Sequence, residues 1–274
     1  MNSIVDSLGK TRLRASLERA KTGYGPSVGQ WMEFPGYSLA RTVASLGVDW
    51  VLIDTEHGNI DDSEMYYAVG AVATAGASPI VRIAGSEPWM MKRALDSGAH
   101  GIMIPMCETK DQAEIIAKYT HYPSPSFPQG LRGVGGLFAP ANFRQNAQEY
   151  LKTANDSIVV IVQIETRLAL DNLDSIASTP GIDALFVGPN DLCSSMGYNA
   201  FDHPVIDEVQ KAIQRILEVA KQKGKFAGHF ALTADLAAER VAKGWEFVNC
   251  GADIVAISTW MTAEMVKFKS LIDQ

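Results

Sequence analysis

The stretch 158–191, IVVIVQIETRLALDNLDSIASTPGIDALFVGPND, holds two apolar runs with a helical pattern between them, and a carboxylate follows each run. The runs cover 158–164 and 184–187 and consist almost entirely of Val, Ile, Leu, Ala and Phe. Runs this uniformly apolar are typical of strands that a parallel sheet buries on both faces. The stretch therefore predicts a strand–helix–strand unit with Glu165 and Asp191 at the two strand ends.

The same alternation continues through the chain in both directions. Apolar residues recur at helical spacing over 63–75, 88–97, 111–119, 204–222 and 234–243. Apolar runs that predict strands occur at 28–31, 50–53, 79–83, 101–104, 158–164, 184–187, 226–228 and 254–257. Eight alternations in 274 residues predict an α/β fold with a single (β/α)8 TIM barrel over residues 1–274, rather than an open doubly wound sheet.

Two segments depart from this alternation. Residues 121–142 are rich in proline and glycine but lie between strong strands, which predicts a long loop over an active site rather than a linker. The second segment precedes the first predicted strand and has apolar side chains at helical spacing. They predict an amphipathic opening helix with Ile4, Val5, Leu8, Leu13 and Leu17 on one face.

The composition argues against several classes of partner. The formal charge is −7, from 24 basic and 31 acidic residues without a basic stripe, so we expect no nucleic-acid partner. Charges interrupt the first residues throughout, unlike a signal peptide or membrane span, so we expect no membrane partner. Cys107, Cys193 and Cys250 are odd in number and far apart, which argues against a disulfide framework or zinc ribbon and favours a reducing cytoplasm.

Ionisable side chains follow five of the predicted strands, and in a barrel such strand ends meet at one mouth. Glu165 and Asp191 form the sharpest pair, since two carboxylates at neighbouring strand ends suit one hard divalent cation such as Mg2+ or Mn2+. Alternatively, either carboxylate only caps the helix that follows, as Asp191 could do before Leu192. The spacing alone leaves both interpretations open.

A second ionisable group belongs to the same mouth. Arg82 closes the apolar run PIVRI and would either bind a substrate carboxylate or form an ion pair with Asp54 or Glu56. His57 lies three residues after Asp54, whose carboxylate could orient the imidazole as a base near neutral pH. His229 also follows a strand and could line the pocket.

In combination, several motifs resemble the pyruvate-dependent class II aldolases of the HpcH/HpaI family, within the phosphoenolpyruvate/pyruvate barrel superfamily. They are VDWVLIDTEHG at 48–58, PIVRI at 79–83, MKRALDSGAHGIMIPM at 91–106, LRGVGG at 131–136, VQIET at 162–166 and VGPNDLCSSMGY at 187–198. The resemblance implies a lyase that reversibly cleaves 4-hydroxy-2-oxo acids to pyruvate and an aldehyde, through an enolate that a divalent metal stabilises. The implied metal is Mg2+ or Mn2+, with Co2+ as a third candidate.

The resemblance also implies roles for individual positions. Glu165 and Asp191 match the metal ligands, and His57 with Asp54 matches a base dyad. Asp96 matches an aspartate that reaches into a neighbouring subunit's site, which implies a homohexamer, built as a trimer of dimers with an exchanged C-terminal helix. The positions that match pyruvate contacts, a polar group near the metal, carboxylate-binding backbone amides and a pocket wall are Arg82, Gln163, Gly188, Pro189, Asn190, Asp191 and Trp31.

Departures from the family pattern leave the aldehyde undetermined. Many relatives have GPAD where this chain has GPND, so Asn190 adds a side chain near the acceptor. The segment 136–143 and the pair His229 and Phe230 also differ, and both could line the aldehyde side of the pocket. Two alternatives remain: an oxaloacetate decarboxylase or macrophomate-synthase-like enzyme that uses the same pyruvate enolate, and a metabolite-binding barrel without turnover.

Overall fold

The structure, a computed structural model, describes residues 10–273. Its parallel strands are β1 (Ser27–Met32), β2 (Trp50–Asp54), β3 (Ser78–Arg82), β4 (Gly101–Ile104), β5 (Val159–Ile164), β6 (Ala184–Val187), β7 (Phe226–His229) and β8 (Phe247–Ala252). They pair in chain order, and β1 pairs with both β2 and β8, so the sheet closes into a barrel. The predicted eight-stranded parallel barrel is confirmed.

Helices surround the barrel and follow the strands. They are α1 (Arg12–Lys21), α2 (Tyr37–Ala44), α3 (Asp62–Ala75), α4 (Pro88–Asp96), α5 (Lys110–Thr120), α6 (Ala139–Asn142), α7 (Ala147–Ser157), α8 (Arg167–Asp171), α9 (Leu173–Ala177), α10 (Pro189–Ser195), α11 (Asp207–Gln222), α12 (Ala234–Ala242) and α13 (Asp253–Ile272). Between residues 10 and 273, none of these helices combines the length and the apolar character needed to cross a bilayer.

Seven of the predicted apolar runs match strands to within one residue, but the eighth is wrong. Residues 254–257 belong to α13, and the true last strand is β8. The strand is hard to find because Asn249, Cys250 and Gly251 interrupt its apolar pattern, and Gly251 has a φ of 102° where the strand bends. The β-branched residues that follow it pack as a helix instead.

Aromatic side chains fill the inside of the barrel, and glycines make room for them. A Cβ atom at Gly29 would lie 2.1 Å from the ring of Trp50. A Cβ atom at Gly228 would lie 2.4 Å from Phe186 and 2.6 Å from Phe247. Since such distances are far inside van der Waals contact, these two strand positions accept only glycine without repacking.

Helix α1 closes the end of the barrel opposite the site. Leu13 and Leu17 are fully buried in the cluster that contains the interior aromatic residues. The Leu13 backbone N–H donates to Ser78 Oγ at 2.9 Å, and Arg14 pairs with Asp183 at 2.7 Å. The predicted opening helix is confirmed for Leu13 and Leu17, whereas Ile4, Val5 and Leu8 lie outside the described residues.

Replacement of Gly228 by alanine tests the packing of the interior. We expect Gly228→Ala to lower the free energy of unfolding by about 1–3 kcal/mol, because the new methyl group overpacks two rings. Gly70 in α3 is the matched control, since its Cβ would meet no atom within 4 Å. Gly70→Ala should leave stability unchanged or raise it by up to about 1 kcal/mol. Equal urea midpoints for the two variants would contradict the packing described.

Candidate active site

A cavity of about 190 Å³ opens at the carboxyl ends of the barrel strands, which we call the mouth. The sequence-predicted residues in its wall are Trp31, His57, Arg82, Gln163, Gly188, Pro189, Asn190 and Asp191. Two lining residues, Glu33 and Phe186, were not predicted from the sequence, whereas Phe230 lines the cavity as expected. Glu165 and Asp54 are buried next to the cavity, and each accepts a hydrogen bond from a lining residue.

Arg82 and Asp54 form a buried ion pair at the ends of β3 and β2. Arg82 Nε donates to Asp54 Oδ1 at 3.0 Å, and Nη2 donates to Oδ2. Arg82 Nη1 lies 3.1 Å from Glu56 Oε2, and the guanidinium lies 4.8 Å from the centre of the Trp31 ring. The structural ion pair is therefore formed, and the arginine still lines the cavity, so its two interpretations do not exclude each other.

Asp54 is saturated with hydrogen bonds. Besides Arg82, its carboxylate accepts from Trp31 Nε1 at 2.9 Å and from the backbone N–H groups of Glu56 at 3.0 Å and His57 at 3.2 Å. Burial alone would raise the pKa of Asp54, but the hydrogen bonds and charge of Arg82 outweigh it and lower the pKa. Asp54 therefore stays ionised and positions Arg82 and Trp31 rather than exchanging protons.

The expected contact between Asp54 and the His57 imidazole is not formed. Asp54 holds the backbone of His57, while the side chain is 63% exposed and its Nε2 lies 4.0 Å from Glu56 Oε1. The physical reason is that the turn after β2 directs its N–H groups at the carboxylate and leaves both oxygens occupied. His57 lines the cavity as predicted, but its ring has no orienting carboxylate at hydrogen-bond distance within residues 10–273.

Glu165 follows β5 and is almost fully buried. Its Oε1 accepts from the Met106 backbone at 2.8 Å, and its Oε2 accepts from Gln163 Nε2 at 2.8 Å. Met106 adopts a φ of 51°, unusual for a residue with a side chain, and this turn places its N–H on the carboxylate. A Cβ atom at Gly188 would lie 2.3 Å from Glu165 Oε2, so only glycine at this position leaves room for that oxygen.

Burial, with the charges of Asp191 and Glu56 in addition, raises the pKa of Glu165 to about 7 against the opposing Met106 hydrogen bond and the charge of Arg82. A carboxylate with a raised pKa destabilises the folded protein when it is ionised. The free energy of unfolding therefore falls as the pH rises from 4.5, the ordinary pKa of the group, towards 7. A nearby cation would reverse that cost.

Asp191 lies in the first turn of α10. The N-cap residue of this helix is Gly188, which has no side chain that could cap it. The Asp191 side chain is exposed and lines the cavity, so the helix-cap alternative is not what the structure shows. With Glu165 and the buried Gln163 Oε1, which finds no partner within residues 10–273, it forms a set of oxygen donors. Such a set fits a hard divalent cation.

The protein supplies only part of a coordination shell. Among the described residues, no group of three or more His, Cys, Asp or Glu side chains gathers closely enough to hold a metal. Two carboxylates and an amide would leave the other coordination positions to water and substrate, as catalytic sites require.

Asp96 lies in α4, outside the cavity wall. Its Oδ1 is buried without a hydrogen-bond partner in the described chain and lies 3.8 Å from Arg132 Nη2. Arg132 donates to Tyr150 Oη at 2.8 Å and lies 4.3 Å from the centre of the Tyr122 ring. Within one chain, the structure does not bring Asp96 to the other site residues.

The loop over 121–138 is irregular, as predicted, but no residue of 121–143 lines the mouth cavity. Arg132 anchors the loop to α4 and α7, because its side chain is buried against Leu95 and Tyr150. The expectations that this loop covers the site, and that 136–143 lines the aldehyde side, are therefore wrong for the cavity of a single chain.

His229 and Phe230 separate at the end of β7. Phe230 lines the cavity and packs edge-on against Trp31 at 5.1 Å. His229 points away from it, lies 5.0 Å from the ring of Trp245, and has a pKa lowered to about 3 by burial. Strand alternation explains the difference, since neighbouring residues face opposite sides of the barrel wall.

Comparison with known proteins places the chain in a family. The HpcH/HpaI aldolase/citrate lyase family matches residues 28–258. A 2-keto-3-deoxy-L-rhamnonate aldolase of Escherichia coli O6:K15:H31 (strain 536/UPEC) is 36% identical over 271 residues, which cover 98% of this chain and 96% of the relative.

Two solved structures extend the match to three dimensions. An HpcH/HpaI aldolase/citrate lyase family protein from Burkholderia cenocepacia J2315 is 35% identical, with a TM-score of 0.83 and coverage of 95% of this chain and 99% of that chain. The citrate synthase SbnG is 28% identical, with a TM-score of 0.82 and coverage of 94% and 98%. The chain therefore belongs to the HpcH/HpaI aldolase/citrate lyase family, as its motifs predict, and is a lyase of the class II aldolase type.

Proposed function

We propose that this protein is a divalent-metal-dependent aldolase that reversibly cleaves 4-hydroxy-2-oxo acids into pyruvate and an aldehyde. One arrangement carries the proposal: oxygen atoms of Gln163 and Asp191 line a cavity together with the guanidinium of Arg82, and Glu165 lies buried behind its wall in a hydrogen bond with Gln163. Oxygen ligands beside a guanidinium suit a 2-oxo acid, whose carboxylate and keto oxygen carry the negative charge. The Escherichia coli relative is named for a 2-keto-3-deoxy acid, which belongs to this chemical class.

Glu165, Asp191 and the free Oε1 of Gln163 would hold the cation, and Mg2+, Mn2+ and Co2+ all accept such oxygen ligands. The bound cation would supply stabilisation of the negative charge that develops on the substrate's keto oxygen.

The chain's own groups then carry the reaction. Arg82, fixed by Asp54, binds the carboxylate and keto region of the substrate, and the backbone N–H groups of Gly188, Asn190 and Asp191, at the start of α10, bind the carboxylate. His57 takes the proton of the 4-hydroxyl group. The electrons of the C3–C4 bond pass into pyruvate enolate, the aldehyde leaves, and C3 then takes up a proton to give pyruvate.

Decarboxylation of oxaloacetate is a second candidate reaction of the same site. One observation favours it: the His57 ring has no orienting carboxylate at hydrogen-bond distance within the described residues, and loss of CO2 requires no base at a hydroxyl group. The bond between C3 and the departing carboxylate breaks, CO2 leaves, and the same pyruvate enolate forms.

We also propose that the protein forms a homohexamer, a trimer of dimers with an exchanged C-terminal helix. From Ile254 to Ile272 the residues of α13 are mostly exposed, including Trp260 at 67% and Phe268 at 56%. Large apolar side chains exposed along a helix indicate a surface that another chain covers. Asp96, whose Oδ1 has no hydrogen-bond partner within the described residues, would serve the site of a neighbouring copy, where the His57 ring lacks an orienting carboxylate.

The proposed location is the cytoplasm. Cys107, Cys193 and Cys250 are all free, and the first two are buried. Free buried thiols suit a reducing compartment.

The role of His57 separates the two reactions. We expect His57→Gln to slow cleavage of a 4-hydroxy-2-oxo acid by roughly 10²- to 10⁴-fold, because the base at the hydroxyl group is lost. Decarboxylation of oxaloacetate by the same variant should change less than about tenfold, which also shows that the variant is folded. Equal loss of both activities, or no loss of cleavage, would contradict the assigned role.

The oligomer depends on the apolar face of α13. In native mass spectrometry we expect six copies for the wild type and smaller assemblies for Trp260→Glu combined with Phe268→Glu, because two charges would be buried at the interface. Lys269→Glu is the control, since it changes an exposed charge on the side of the same helix opposite Trp260. A monomeric wild type, or an unchanged mass for the double variant, would refute the proposed exchange of the C-terminal helix between subunits.

A further inference from the structure

Glu33 is a carboxylate of the cavity wall without a partner. It follows β1 and lines the mouth, yet its side chain forms no ion pair or hydrogen bond within the described part of the chain. Its backbone is held firmly, because its N–H donates to Asp253 Oδ1 at 3.0 Å and its carbonyl accepts from Asn59 at 2.9 Å. Glu33 is thus a carboxylate on a firmly held backbone whose side chain is free to meet a ligand.

The position of Glu33 in the barrel identifies the part of the ligand that it meets. β1 and β5 lie four strands apart in a closed ring of eight, so Glu33 lies across the mouth from Glu165. His57 follows the neighbouring strand β2 and lines the same cavity as Glu33. Because His57 serves the hydroxyl group that becomes the aldehyde oxygen, Glu33 belongs to the aldehyde side of the cavity.

The rest of this wall offers no second cation. Trp31 and Phe230 supply its aromatic surface, 5.1 Å apart. Of the described residues that line the cavity, Arg82 is the only arginine or lysine, and Asp54 and Glu56 already pair with it. A carboxylate at the far end of an aldehyde would meet Glu33 with no cation to balance it.

We propose that Glu33 is a specificity-determining residue that selects uncharged, hydroxyl-bearing aldehydes and rejects aldehydes that carry a carboxylate. A substrate hydroxyl can donate to the free oxygens of Glu33, whereas a substrate carboxylate is repelled. The inference rests on the proposed aldolase function and deepens it, since it names the aldehyde class. Burial and the charges of Asp54 and Asp253 raise the pKa of Glu33, and a further negative charge would add to that repulsion.

The test compares two acceptors of equal length, glycolaldehyde and glyoxylate, in condensation with pyruvate. For the metal-loaded wild type we expect a higher kcat/KM with glycolaldehyde. Glu33→Gln should raise the glyoxylate-to-glycolaldehyde ratio of kcat/KM by about tenfold, the scale of one like charge near a protein surface. Glu87→Gln is the matched control, because Glu87 is exposed, follows β3 and lies outside the cavity wall.

Deuterium exchange at the methyl group of pyruvate, measured on each protein without an aldehyde, separates the possible failures. We expect exchange in Glu33→Gln within about twofold of the wild type. An unchanged acceptor ratio with normal exchange would overturn the role of Glu33 alone. A loss of exchange in Glu33→Gln would place Glu33 in enolate formation and also overturn it. A wild type without exchange would refute the proposed function itself.

Discussion

The buried ion pair between Arg82 and Asp54 holds the mouth of the barrel together. The two residues are paired in register on β2 and β3, and Trp31 Nε1 ties β1 to the same carboxylate. A buried ion pair is stable only when its remaining hydrogen-bonding groups are satisfied, and Asp54 meets this condition through two backbone N–H groups. Asp54 occupies two of the five donors of Arg82, and Glu56 adds an ion pair without a hydrogen bond, so the other donors remain for a substrate.

Negative charge dominates the rest of the site, which supports the proposed role of a cation. Carboxylates outnumber the single guanidinium, and those in or next to the cavity are Glu33, Asp54, Glu56, Glu165 and Asp191. Without a cation, an anionic 2-oxo acid would meet net repulsion in such a site. Burial is the main cause of the raised pKa of Glu165, and the charges of Asp191 and Glu56 contribute to it, against the Met106 hydrogen bond and Arg82. Under the proposed function, charge balance would therefore link substrate binding to metal binding.

The sequence predicts the features that depend on periodicity and misses those that depend on side-chain direction. The uniform apolar runs correctly predict seven strands. They also predict that Glu165, Asp191 and Arg82 meet at one mouth, because each of these residues lies at the end of a strand or just after it. The three-residue spacing of Asp54 and His57 could not distinguish a backbone contact from a ring contact, and the structure has the former. The predicted run ends at Trp31, two residues before Glu33, so Glu33 was not identified as a strand-end residue. An acidic residue just after a barrel strand is nevertheless a signal that could have found it.

Exchange of the pyruvate methyl protons for deuterium, followed by NMR, tests most directly whether this barrel makes pyruvate enolate on a metal. The account predicts that chelator-stripped protein does not exchange, that Mg2+ or Mn2+ added singly restores exchange, and that Glu165→Gln exchanges on the order of 100-fold more slowly at the same metal concentration. Undiminished exchange by the stripped protein or by Glu165→Gln would contradict it.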